Sequence, residues 1–113
     1  MKYLLMVCAD EALRMTPEED AAHLEAVGAW VREMEDRGVR VIGDRLRPVA
    51  DAVSVRVRQD ELLVSDGPFA ETKEQMAGFD VLECADLDEA VEIAARHPGA
   101  AHGTVELRPL WQT

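Results

Sequence analysis

Ser65–Gly78 reads SDGPFAETKEQMAG and sets three carboxylates, one lysine and one aromatic ring within a short stretch. Asp66 is a candidate general base or an anchor for a cationic or hydroxylated ligand. The same carboxylate suits an Asx-turn, in which it accepts a backbone N–H inside the tight turn. Gly67 tolerates positive φ and Pro68 fixes φ near ~−65°, so a strand arriving through Leu62–Val64 must end here. Phe69 reads as a plug anchoring the loop in the core, or else as the apolar wall of a pocket. Glu71 and Lys73 are either the two poles of a ligand clamp or residues of a solvated face. Upstream, Arg45 in Gly43-Asp44-Arg45-Leu46 suits a planar oxyanion held in bidentate fashion, and equally a salt bridge in an acid-rich chain. The ligand-binding set read from the sequence is therefore Asp66, Gly67, Pro68, Phe69, Lys73 and Arg45.

These residues need a scaffold to position them. Lys2–Cys8 is an apolar run of central-strand length. Thr16-Pro17-Glu18-Glu19 supplies an N-cap, a proline at the first helical position and a glutamate three residues after the cap. Leu24, Val27, Val31 and Met34 then recur at spacings of three and four, with Trp30 at the edge of the stripe, and Gly38 closes the helix in the left-handed region. Val39–Gly43 is a second strand. Val53, Val55 and Val57 alternate with Ser54, Arg56 and Arg58, which predicts a half-buried strand, and Gln59-Asp60 turns it into Glu61–Ser65 as a hairpin. Ala70–Met76 is rich in helix formers and predicts a helical turn or two. Phe79–Cys84 is the next strand. Asp86-Leu87-Asp88-Glu89 is a capping box opening a helix with a stripe of Leu87, Ala90, Val91 and Ala94, which Pro98-Gly99 stops. Gly103–Leu110 is the last strand. The order β-α-β-β-β-β-α-β predicts one α+β domain over 1–113, two helices on one face of an antiparallel sheet, and the other face in need of cover.

Bulk properties narrow the functional classes. The 113 residues carry a net charge of −11, which argues against nucleic acid, because neutralising phosphates takes clustered Lys and Arg. It also disfavours anionic membrane surfaces. No apolar run approaches the ~18–20 residues of a membrane span, and the apolar start lacks a signal-peptide cleavage site, so a cytoplasmic setting is expected. The two cysteines, Cys8 and Cys84, fall in strands without CxxC spacing and read as buried reduced thiols. There is no GxSxG, no glycine-rich phosphate loop and no metal-ligand spacing. No cofactor and no metal are expected.

Asp66-Gly67-Pro68-Phe69, followed by Glu71-Thr72-Lys73-Glu74 and Gly78-Phe79, resembles the signature of the DGPF branch of the YCII-related family. Gly43-Asp44-Arg45-Leu46, Asp86–Ala90 and Val105–Pro109 extend the likeness over nearly the whole chain. The resemblance implies a bacterial, ferredoxin-like α+β subunit of the dimeric α/β-barrel type, usually a homodimer, without a common reaction. It also implies a stress or regulatory setting, since DGPF proteins often accompany alternative sigma factors. The broader YCII group is associated with a His–Asp dyad. Here the helical His position falls at or near Val27, with His23 one turn earlier on the same stripe, and the Asp position before a proline is occupied by His97. A His23–His97 pair is thus a candidate proton shuttle. A metal site using His23, His97 and His102 lacks supporting spacing, and His102 reads as an exposed loop residue.

Three readings follow. One is a small-molecule-binding accessory protein, its dimer cleft lined by Asp66, Phe69, Lys73 and Arg45. Another is a cofactorless enzyme doing acid–base chemistry, with Asp66, His97 and His23 as candidates. The third is a protein-interaction module.

Overall fold

The computed structural model describes Met1–Gln112. Its elements are β1 (Lys2–Ala9), α1 (Pro17–Asp36), β2 (Arg40–Arg45), β3 (Val53–Arg58), β4 (Glu61–Asp66), β5 (Gln75–Glu83), α2 (Leu87–Ala95), α3 (Gly99–His102) and β6 (Thr104–Pro109), with a 3-10 turn at Val49–Asp51.

Four strands form one antiparallel sheet in the order β2-β5-β1-β6. Since β5 runs antiparallel to both neighbours, β1 and β2 are parallel and α1 carries the chain between them, a split β-α-β unit of ferredoxin-like type. The register Tyr3↔Leu82 and Leu5↔Asp80 puts those side chains on one face, and Leu4↔Val81 and Met6↔Phe79 on the other. The core lies on the first face, where Tyr3, Leu5 and Leu82 meet Trp30 and Met34 of α1 and Ala90, Ile93 and Ala94 of α2. Both long helices thus cover the same side, as the alternation predicts.

Helix α1 starts at the expected cap: Glu19 N–H donates to Thr16 Oγ1 (3.1 Å) and Thr16 N–H donates to Glu19 Oε1 (3.0 Å). It ends before Gly38, whose φ of 72° is in the left-handed region. At α2, Glu89 N–H donates to Asp86 Oδ1 (2.9 Å), while the Glu89 carboxylate reaches back to Ala85 N–H.

Several expectations are corrected. The α2 stripe is Ala90, Ile93 and Ala94; Leu87 and Val91 face outward. Ala70–Met76 holds no helix: two hydroxyl and amide side chains bond locally instead, Thr72 Oγ1 to the Glu74 carbonyl and Gln75 Nε2 to the Ala70 carbonyl. Such contacts compete with helical ladders, and β5 already begins at Gln75. Pro98 opens an additional single-turn helix, α3, with His102 on it.

The largest departure concerns β3 and β4, which pair only with each other. Their two-residue turn holds Gln59 and Asp60 at φ 51° and 64°, the primed geometry that matches strand twist. Val53, Val55, Val57, Leu62 and Val64 share one face of this arm and all remain about 60% exposed. The half-buried strand expected from the valine alternation is therefore an uncovered one.

Candidate functional site

Helix α1 packs tightly on the sheet only through its C-terminal half. Trp30 and Met34 are buried, whereas Leu24 is exposed and Val27 and Val31 are half-buried. Beneath that loose half lies a cleft of about 750 Å³. Its floor is the inner face of β1, β5 and β2 around Val7, Gly78 and Gly43; its roof is Leu24, Val27 and Val31; its rim is the Asp10–Met15 connection. Both His23 and His97 line it, as does Arg45.

His97 sits at the end of α2, 5% exposed. The Trp30 ring meets it edge-on at 4.7 Å between centroids, and the Trp30 indole N–H is itself fixed on the Ile93 carbonyl at 3.1 Å. Gly99 N–H donates to His97 Nδ1 at 2.9 Å. This approach needs a glycine, because a Cβ at position 99 would lie 2.6 Å from Val7 Cγ1 and 3.0 Å from His97 Nδ1. Burial, reinforced by the His23 ring, pushes the His97 pKa down to about 4. The imidazole is therefore neutral near pH 7, its Nδ1 accepts, and the proton resides on Nε2.

His23 is also held down, by burial first and then by His102 and Arg45 against the opposing Asp20. The His102 ring, exposed as expected but on the helix α3 and not in a loop, lies edge-on to it at 5.4 Å. His23 Nδ1 is buried and has no hydrogen-bond partner among the described residues. The three histidines do not form a ligand set; among the described residues no group of three His, Cys, Asp or Glu is arranged to hold a metal.

The cleft also contains a pair the sequence reading overlooked. Arg40 Nε donates to Asp80 Oδ1 at 2.7 Å, with side chains 13% and 8% exposed, and Arg40 Nη1 donates to Glu35 at 2.8 Å. Burial raises the Asp80 pKa, opposed by Arg40. Gly43 makes room for this ion pair, since a Cβ there would collide with Asp80 Oδ1 and the Phe79 carbonyl. The available signal was Asp80 itself, a carboxylate inside the apolar run Phe79–Leu82 and in register with Gly43.

The remaining sequence candidates lie elsewhere. Asp66 ends β4 fully on the surface. No Asx-turn forms there: Gly67 N–H donates to the Ala52 carbonyl at 2.7 Å and Ser54 Oγ donates to the Gly67 carbonyl at 2.8 Å, so backbone and serine close the loop base. Gly67 takes φ 89° as the turn requires. Phe69 is 79% exposed and plugs no core; with Pro68 it borders a shallow depression against Leu62–Ser65 on the arm. Glu71 and Lys73 are exposed. Of the loop set, only Arg45 shares the cleft, at its mouth and 3.9 Å from Asp20. The thiols are not activated: burial and neighbouring acids raise both Cys8 and Cys84.

No helix among the described residues is long and apolar enough to cross a membrane. The YCII-related domain matches residues 1–113. An uncharacterised protein of Rhizobium meliloti (strain 1021) is 37% identical over 114 aligned residues, which cover 97% of this chain and 92% of that relative. On the strength of the whole-length match and the split β-α-β sheet, the chain belongs to the YCII-related family.

Proposed function

We propose that this protein binds a small molecule in the cleft between α1 and the sheet. One observation carries the reading: a concave, mostly apolar space of about 750 Å³ is lined by two imidazoles, His23 and His97. Pockets of this size with a few convergent polar groups are the usual form of a ligand site. Native mass spectrometry of freshly purified protein tests it. A retained mass that disappears in His23→Ala supports the proposal; a ligand kept by that variant and lost in Asp66→Asn would move the site to the Asp66–Phe69 loop.

A homodimer is part of this proposal. The sheet face bearing the half-buried Leu4, Val81 and Phe79 has no helix on it, and an isolated two-stranded hairpin with an apolar face is marginal in water. A second copy brings an identical uncovered face, so a two-fold pair buries both. For Asp66, Gly67, Pro68, Phe69 and Lys73 to share the ligand, the loop of one copy must meet the cleft of the other. Resemblance to DGPF proteins supports a cytoplasmic regulatory setting linked to a sigma factor; co-purification with such a factor is its test.

A second reading, acid–base catalysis without a cofactor, is favoured by the two imidazoles that line one cleft. His97 is a poor base in the tautomer this hydrogen bond implies, because Gly99 occupies Nδ1 and the proton then sits on Nε2. His23 would take the proton, and an activity lost in His23→Ala with folding intact is the supporting result.

A further inference from the structure

The cleft has a polarity that narrows its ligand, and this step rests on the binding reading above. We infer that it takes a carbonyl-bearing small molecule without negative charge, whose apolar body lies under α1 and whose oxygen accepts from His97 Nε2–H.

Three observations carry this. The Gly99 N–H on Nδ1 makes His97 a donor at its other nitrogen, and no acceptor for it is found among the described residues. A neutral imidazole backed by Trp30 and fixed by a glycine is a preorganised donor of the kind that polarises carbonyl oxygens. Next, the walls Val7, Leu24, Val27 and Val31 are apolar and give the ligand body a place out of water. Finally, the charges lining the cleft are unbalanced. Asp10, Glu11, Asp20, Asp44 and Asp80 face Arg40 and Arg45. Arg40 is committed to Asp80 and Glu35, and Arg45 is near Asp20. Asp10, Glu11 and Asp44 have only backbone N–H donors, from Ala12, Val49 and Arg45. The field at the mouth is negative, which repels a carboxylate or phosphate.

Three probes of one size separate these contributions: benzamide (neutral carbonyl), benzoate (anion) and benzylamine (cation without a carbonyl). Amide and imidazole shifts in 1H–15N spectra at pH 7 read the binding. The expected result is that benzamide moves the amides of Val7, Val31 and Gly78 together with the His97 Nε2–H. Benzoate should bind at least about tenfold more weakly, and benzamide should lose about tenfold in His97→Phe but not in His97→Gln, which keeps a donor, as befits one hydrogen bond in a water-poor site. Equal binding of benzoate overturns the charge argument. Benzylamine binding as well as benzamide in the unaltered protein overturns the carbonyl requirement, a comparison that stands even if His97→Phe does not fold. If benzamide binds in the cleft with His97 unmoved, the donor role fails while the binding reading survives. If none of the probes moves a cleft amide, the binding reading fails with it.

Discussion

The β3–β4 arm and the α1 cleft are both apolar regions left open in this molecule, and they differ in what lies beneath the apolar surface. The arm leaves Val53, Val55, Val57, Leu62 and Val64 free on one side, and hydrogen bonds among Ala52, Ser54 and Gly67 close its base. The cleft is concave and holds the buried polar groups: His97, the Arg40–Asp80 pair and the unpartnered His23 nitrogen. An exposed apolar strand asks for another surface. A concavity with fixed donors asks for a molecule. The loop that dominates the sequence, Asp66–Phe69, belongs to the first region, where Gly67 at φ 89° serves the exit from β4.

Replacing aromatic residues puts this contrast to its strongest test. Trp30→Ala removes a 4%-exposed ring, its hydrogen bond to Ile93 and the support of His97, and should cost about 3–5 kcal/mol in urea unfolding. Phe69→Ala, on a 79%-exposed ring, should cost less than about 0.5 kcal/mol. Comparable losses would mean that the signature loop is buried in solution. Arg40→Met strands the Asp80 carboxylate and should likewise cost about 3–5 kcal/mol, whereas Arg40→Met with Asp80→Leu should recover most of it; a double variant as unstable as the single one would show that packing, not charge, is lost.

The cleft should also report on pH where the arm does not. The folded His97 pKa of about 4 is depressed below the ordinary 6.5, so the unfolded chain binds the extra proton between these values. Stability is therefore full above pH 6.5 and falls as the pH drops toward 4, by about 3 kcal/mol for this group at ~1.4 kcal/mol per pH unit. His23, also depressed, adds to the fall, and Asp80, raised, opposes it. Subtracting the pH profile of His97→Gln from that of the unaltered protein isolates the effect. Profiles that run parallel from pH 7 to 4 would show that the ring is not held neutral.

The smallest effects belong to the arm. Gln59→Asn with Asp60→Gly relieves two left-handed side-chain-bearing residues and should add about 1 kcal/mol to protection of the arm amides from hydrogen exchange, with little change in global melting. Val55→Ser should cost less than about 0.5 kcal/mol in the monomer and weaken any dimer that buries the arm, as sedimentation at several concentrations would show.

Local chemistry was legible in the chain. Thr16 and Glu19 cap α1, Gly38 ends it, Gln59-Asp60 turns the arm, and the apolar run of β1 is a central strand, because each depends on neighbours a few residues away. The element order placed both long helices on one face of the sheet, and the resemblance implied its ferredoxin-like form. Which apolar residues would be covered was not. Alternation places Val53, Val55 and Val57 on one face, but whether anything packs on that face depends on chain elsewhere, and here nothing in the protomer does. The same holds for Phe69, apolar in type and solvated in place, and for Ala70–Met76, where local side-chain bonds outweigh helix propensity.

The sequence by itself therefore determined the caps, the turns, the alternation of faces and the family. The resemblance already paired His23 with His97, but tertiary structure decided the cleft they line, since these residues, 74 positions apart along the chain, meet there only because α1 and the end of α2 lie on the same side of the sheet. It also decided their chemistry. The Gly99 N–H, two residues on, determines which nitrogen of His97 holds the proton, whereas the burial and the nearby His23 ring that keep the imidazole neutral are supplied by the fold and not by the neighbours in sequence.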